Sequence, residues 1–552
     1  MIDPQENRKQ TETVDAVVKR HLDALSVLPP CHTDPRNGPT FSIRCSAAPG
    51  SHFRVGSYSQ RMMSYSTYTN VCMNCSDIHT VTIIPYWMLN YCSELSHGFP
   101  ETPFKHKSAI RDELIADLKK ATTHGEYLQQ SEIQEKIDAL CKWMCTAPKK
   151  SIYRLDRFTD YYTNDLDNLR KALKQDDKPD PSIHVLPDLP NGIVAVDSWD
   201  SLVSLDLRRY PDEIIVDAIC GAAVLRGSHV YAPGIIGMPN GLIINTKVSV
   251  FADVTGQCKK GLIKPYANSN KAYLGNGILR QTRKELFCKV SRNPCGVAII
   301  MTDVISRIPQ FNINDESLRP HALLQNLPSI ICSLVLNPQP DETVLDMCAA
   351  PGNKTTHISL LMKGQGTIIA LEKNPGKVRR FKEKCNDRNI KIFCYDATKA
   401  VIAREHSFVH TDDGPPFEEN YFDRILLDTP CSALGQRPQL YNTITSAQLR
   451  SYIPLQRSLF SVAVRLLKPG GTLVYSTCTV TIAENEGIIA WALKQFPKLK
   501  LESVKDEIKT DKYGIQGYVI DGLTNEDAKK VCRFGPESDF VGFFIACLKK
   551  YS

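Results

Sequence analysis

Between Thr343 and Cys478 short apolar runs alternate with amphipathic stretches, and each run stops at a carboxylate. Thr343-Val-Leu345 ends at Asp346, Thr367 to Leu371 at Glu372, Ile392 to Tyr395 at Asp396, and Phe422 to Leu427 at Asp428. Short apolar runs separated mostly by helical patterns predict a doubly wound parallel sheet of the α/β class. In such a sheet ligands sit in the crevice at the carboxyl ends of the strands, where loop amides and a helix N-terminus are free. The first run opens into Met-Cys348-Ala349-Ala350-Pro351-Gly352-Asn353-Lys354-Thr-Thr356, a small-residue turn followed by a helical pattern. Glu372, at the end of the second run, is placed to accept from the two ribose hydroxyls of a nucleoside cofactor. One carboxylate in such a place is as readily a helix cap; four in series favour a binding crevice.

The remaining chain divides by pattern. Residues 1–125 mix turn residues with short apolar runs and read as an extension that is mostly loosely ordered or an appended surface layer. Cys72-Met-Asn-Cys75 has the spacing of half a zinc knuckle, with Cys31, Cys45 and His79 as conceivable partners, but free thiols and no metal are expected because no second pair supports it. In 126–211, Ile133 to Met144 has helical spacing, Ser151 to Leu155 reads as a strand and Asn164 to Gln175 as an amphipathic helix, which gives a small α+β module. A charged linker, Asp176 to Pro181, follows. Residues 212–305 contain many glycines and β-type runs at short spacing, among them Val248 to Phe251 and Gly296 to Met301, the pattern of a small barrel. Phe311 to Ser329 reads as a helical entry into a catalytic domain spanning 306–552.

Composition narrows this further. The longest apolar runs fall far short of the roughly 18 residues needed to cross a bilayer, and the N-terminus has no basic-then-apolar signal, so neither membrane insertion nor secretion is expected. Nineteen cysteines without a compact framework favour a reducing compartment, the cytoplasm. A net charge of +7 permits a nucleic-acid partner without demanding one. No obligate protein partner is indicated.

Two cysteines define the chemistry. Cys431 follows the fourth run in Asp428-Thr-Pro-Cys-Ser432, and Cys478 follows a fifth in Tyr475-Ser-Thr-Cys-Thr479, after the turn Lys468-Pro-Gly-Gly471. A single cysteine is usually a small buried hydrophobe; two at the same edge of a sheet, beside a carboxylate, suggest thiol chemistry. These segments, with Asp346-Met-Cys-Ala-Ala-Pro-Gly-Asn-Lys-Thr355, resemble the motifs of the Sun-type RNA cytosine-5 methyltransferases over roughly Pro309 to Leu548. The chain departs from the family at Asn353, where a second glycine is common, and at Glu372, where Asp is common. Asn tolerates left-handed geometry and Glu can still hold a diol, so neither change predicts lost activity.

The resemblance implies a Rossmann-like class I methyltransferase domain using S-adenosyl-L-methionine. It is preceded by an RNA-recognition-like module into which 212–305 is inserted, and that stretch resembles a PUA domain. Such an insertion points to the tRNA-modifying branch of the family and to tRNA, including its 3′ end, as partner. Arg226, His229, Tyr231, Lys259 and Lys260 would then offer phosphate-binding charge and stacking surface. By resemblance Cys478 adds to cytosine C6, Asp428 binds the base, Cys431 removes the C5 proton, and Lys354 orients substrate or lowers a thiol pKa. Cofactor contacts carried over are Cys348, Ala349, Ala350, Pro351, Gly352, Asn353, Lys354, Glu372, Asp396 and Asp428. The competing readings are a methyltransferase for DNA, protein or another RNA class, and a non-catalytic RNA-binding protein that retains the fold. DNA cytosine-5 enzymes lack the second cysteine, and decay would be expected to strike the thiols or the cofactor loop first.

Overall fold

A computed structural model describes residues 98–552, apart from 124–125, 156–161, 176, 191, 289–293, 312–321, 403–413 and 509–510. The suggested cysteine knuckle at Cys31, Cys45, Cys72, Cys75 and His79 lies outside the described residues.

The alternating runs of the C-terminal half form one sheet: β1 (Thr343–Asp346), β2 (Thr367–Glu372), β3 (Ile390–Cys394), β4 (Phe422–Asp428), β5 (Leu467–Thr477), β6 (Leu499–Glu502), β7 (Cys532–Phe534) and β8 (Phe543–Lys550). Their order is β3-β2-β1-β4-β5-β8-β6, with β7 also on β8. The first five are parallel and β8 is antiparallel to β5. Both faces are buried, as a parallel sheet requires. Leu345, Ile425, Leu427, Leu473 and Tyr475 face one core with Leu459, Phe460 and Ala463 of the helix Ser446–Leu466. Val344, Leu426 and Val474, one residue out of phase, face the other with Ile330 and Ile331 of the helix Leu327–Leu336. The expected turn at Lys468 to Gly471 lies inside β5 as an irregularity: Phe422 pairs with Leu467, and Arg424 then pairs with Thr472.

The small module is a four-stranded antiparallel sheet, with Lys150–Leu155 between Ala322–Leu324 and Ile193–Asp197, and Ile183–Val185 outermost. Its edge strand Ala322–Leu324 falls in the stretch expected to be helical entry, and comes from beyond the inserted segment. Alternation along its strands explains its docking. Tyr153, Leu155, Val194 and Val196 pack on Leu169 and Leu173 of the helix Tyr162–Leu173. Ile152, Ile193 and Ala195, pointing the other way, join the catalytic core beside the helix Leu327–Leu336.

Six strands from 213 to 304 form the inserted sheet, in the order 230–231, 297–304, 271–279, 247–253, 213–216, 235–237. Its core includes Leu440 of the catalytic domain. Gly221 permits that approach, since a Cβ there would meet Ala252 and Leu440 at 2.6 and 3.0 Å. Lys178 of the expected linker is also an anchor: its buried ammonium pairs with Asp303 at 2.9 Å.

Of the two readings of the extension up to residue 125, loosely ordered or an appended layer, the described part is a packed layer. The helix Lys107–Leu118 buries Ile110 and Leu114 against Ile133, Ile137, Leu434, Leu449 and Ile482. Its Asp117 accepts from the backbone N–H groups of Ile482 and Ala483, just beyond Cys478. The apolar contacts of this helix are long-range and no local period announces them. Asp117→Ala would strand two backbone donors at a cost of about 2–3 kcal/mol. A thermal melt should show a lower Tm, and an unchanged Tm would count against the helix as a brace for that loop.

Candidate active site

The carboxyl ends of β1, β4 and β5 carry the residues of interest. Gly352 precedes the helix Asn353–Leu361 with φ +105°, and a Cβ there would lie 2.2 Å from the Phe381 ring. Only glycine fits both constraints. The left-handed position is therefore Gly352. Asn353 is the first helical residue, so the tolerance of Asn for left-handed geometry is not what makes it acceptable there.

Asp428 is paired in register with Ser476, which sets Cys431 and Cys478 on adjacent loops. Their sulfurs are 3.4 Å apart. Hydrogen bonding with Cys431 holds the Cys478 thiol below its ordinary value, whereas the same bond and burial push Cys431 well above. Cys478 is thus the more readily ionised thiol, the form that acts as a nucleophile. Asp428 accepts from Ser476 Oγ at 2.8 Å and from Lys354 Nζ at 2.7 Å. Burial opposes the charge of Lys354, but Asp428 outweighs it and raises the ammonium pKa. The lysine therefore acts first on Asp428, and its field also favours the Cys478 thiolate.

Beside Asp428 lies a cleft of about 380 Å³. Cys348, Ala349, Ala350, Pro351, Asn353 and Lys354 line one wall. Ser151 of the small module and Arg226 of the inserted sheet line it elsewhere, so three modules meet there. Asp346, absent from the expected site, lines it as well: Oδ2 accepts from Thr355, Oδ1 has no hydrogen-bond partner, and burial lifts its pKa to about 7. A buried acceptor left open in a cleft beside a small-residue loop fits a polar ligand such as a nucleoside cofactor. Gly352, Glu372, Asp396 and the two thiols, Cys431 and Cys478, are not in this lining. Glu372 and Cys394 are in register on β2 and β3, so Glu372 and Asp396 stand at neighbouring strand ends. Glu372 accepts from Asn374 N–H, and Asp396 caps the short helix Ala397–Lys399 while a bond from Lys373 lowers its pKa.

The expected RNA contacts are not all free. His229 is buried, its Nε2 on the Phe311 carbonyl and its Nδ1 accepting from Met301 N–H, so it is a packing residue. Its partners are distant in sequence, which is why its burial was not legible there. Arg226 is half-buried in the cleft and donates to the Arg437 carbonyl. Tyr231, 46% exposed, and Lys259 and Lys260 are open to solvent. Among the described residues no group of three or more His, Cys, Asp or Glu side chains could hold a metal, and no helix is long and apolar enough to cross a membrane.

A doubly wound sheet with a small-residue loop and strand-end carboxylates at its carboxyl edge defines the Rossmann-like class that binds nucleoside cofactors. Residues 333–549 match the family described as 16S rRNA methyltransferase RsmB/F. The tRNA (cytosine(72)-C(5))-methyltransferases NSUN6 of Mus musculus and Homo sapiens are both 46% identical, over 60% of this chain and 67% and 69% of theirs. The crystal structure of NSun6 from Pyrococcus horikoshii with SFG superposes with a TM-score of 0.60 at 24% identity, covering 82% of this chain and all of that one. This chain belongs to the Sun-type family of RNA cytosine-C5 methyltransferases, whose cofactor is S-adenosylmethionine.

If Glu372 takes the cofactor ribose, Glu372→Ala should weaken S-adenosylmethionine binding by about 1.5–3 kcal/mol. Calorimetry on the folded variant decides this, and unchanged affinity would remove Glu372 from the cofactor contacts.

Proposed function

We propose that the chain methylates C5 of a cytosine near the 3′ end of tRNA, working in the cytoplasm, with Cys478 as nucleophile and Cys431 as the group that releases product. The observation that carries the thiol roles is the pair of sulfurs 3.4 Å apart beside an Asp428 already held by Lys354 and Ser476.

Cytosine C5 is a poor nucleophile until a thiolate adds at C6 and makes it enamine-like. Cys478 performs that addition. Asp428, fixed from two sides, accepts a hydrogen bond from the base and orients the ring. S-adenosylmethionine supplies an electrophilic methyl group. After C5 is methylated, Cys431, having given its own thiol proton to solvent, takes the C5 proton as a thiolate and the Cys478–C6 bond breaks. Cys348, Ala349, Ala350, Pro351, Gly352, Asn353, Glu372 and Asp396 serve the cofactor. A base in a helix would have to leave the stack to reach the thiols, so an RNA end is the less costly target.

Support for tRNA comes from the names of the mammalian relatives and from the inserted sheet, which we read as a PUA domain. Tyr231, Lys259 and Lys260 give it an exposed ring and two cations for an RNA end, with Arg226 at the catalytic cleft.

The two thiols predict opposite results on a denaturing gel with labelled RNA. Cys431→Ala should still add and methylate but remain linked to its RNA as a slow-migrating band; Cys478→Ala should be inactive and give none. The band appearing with Cys478→Ala instead would exchange the roles, and with neither would remove the covalent route. Substrate capture is tested separately: replacing Lys259 and Lys260 with Ala should weaken tRNA binding and reduce its salt slope by up to about 2. Unchanged affinity and slope would take both lysines out of the RNA surface.

A further inference from the structure

Each of the two cysteines is followed by a hydroxyl residue, and both hydroxyls are buried. Ser432 Oγ and Thr479 Oγ1 are 2.7 Å apart, so the loops are joined one residue beyond their sulfurs. Under this pair lies Glu484, 1% exposed. Its Oε1 accepts from Ser432 Oγ at 2.5 Å and from Thr481 Oγ1 at 2.9 Å. Its Oε2 accepts from the Ser432 backbone N–H at 2.9 Å and from Gln456 Nε2 at 2.9 Å. Gln456 in turn reaches the carbonyl of Pro430 at 3.1 Å, on the other side of Cys431. Because Ser432 Oγ donates to the carboxylate, Thr479 is the donor within the hydroxyl pair.

We infer that Glu484 is a positioning residue for this reaction, clamping the Cys431 loop to the Cys478 loop so that nucleophile and proton acceptor address one base. The inference rests on the thiol roles proposed above. A buried carboxylate is costly unless its lone pairs are filled, and here four donors converge on two oxygens. Three of them, the Ser432 amide, the Ser432 hydroxyl and Gln456, also bear on residues 430–432, so the carboxylate fixes the Cys431 backbone from within. Tyr475 closes the other side, its hydroxyl donating to the Glu484 carbonyl at 2.6 Å, so the clamp is tied to β5 and hence to Cys478. Desolvation raises the Glu484 pKa, but its carboxylate is held by Ser432, Thr481 and Gln456 and its carbonyl by Tyr475, so it acts on the thiols through these partners.

Glu484→Gln is the conservative variant that separates geometry from proton transfer. Its amide oxygen can keep the two N–H donors, and its NH₂ can face the two hydroxyls, which are able to turn and accept. Turnover of tRNA by Glu484→Gln should stay within about threefold of wild type. Glu484→Ala should lower kcat about 10- to 100-fold, the scale of loss for a displaced reacting group, with S-adenosylmethionine affinity and KM unchanged. It should also accumulate the slow-migrating RNA–protein band, because release depends on the placement of Cys431. Fold loss alone would lower the active fraction without enriching that band. Should Glu484→Ala fail to fold, Ser432→Ala, which removes the hydroxyl link and keeps the amide, should show the same band and a roughly tenfold lower kcat. Wild-type turnover without a band in the folded variants, or Glu484→Gln as impaired as Glu484→Ala, would overturn the inference. Failure of the underlying thiol roles is separately visible, since Cys431→Ala and Cys478→Ala in the native background report on those alone.

Discussion

The pairing of β4 with β5 is the constraint on which the rest of the site depends. With Asp428 opposite Ser476, the next residues of each strand leave the sheet at the same level, and the two cysteines meet without either loop being long. A shift of one residue would turn every alternate side chain to the other face. Leu427 and Tyr475 would exchange cores with Leu426 and Val474, so burial on both faces enforces the register that the chemistry needs.

The same sheet edge is where the other modules converge. The small module reaches it because one face of its sheet is needed to complete the core beside the helix Leu327–Leu336. The inserted sheet reaches it because Leu440, from the catalytic domain, fills its interior. Arg437 reinforces the junction, donating to the Thr146 and Ala147 carbonyls and covering the Trp143 ring at 4.9 Å. Arg226 is thereby carried into the cleft that the cofactor loop lines. A module inserted far away in sequence thus reaches the cleft beside Asp428 through packing alone.

Charge is distributed around this centre in a way that suits two thiols with different tasks. Lys354 and Asp428 form a pair on one side, and Glu484 lies on the other beneath Ser432. Cys478 is favoured as thiolate by Cys431 and by Lys354, while the same hydrogen bond to Cys478 and burial disfavour charge on Cys431. Two chemically identical side chains so differ in proton affinity through their neighbours.

The sequence alone determined the five parallel strands, the carboxylates that close four of them and the two cysteines, because short apolar runs with period and stop signals are local properties. It also carried the motifs that mark the family. Contacts between distant residues were decided only by the tertiary structure. The strand Ala322–Leu324 belongs to a module that begins before the insertion, the helix Lys107–Leu118 braces the loop after Cys478, and His229 turns inward to Phe311 and Met301. Asp346 and Asp396 looked alike as strand-end carboxylates, yet one is buried with an open oxygen in the cleft and the other caps a short helix. Glu484 shows the limit most clearly: its neighbours in sequence say nothing of Ser432 and Gln456, and its burial becomes tolerable only when the fold brings four donors to it.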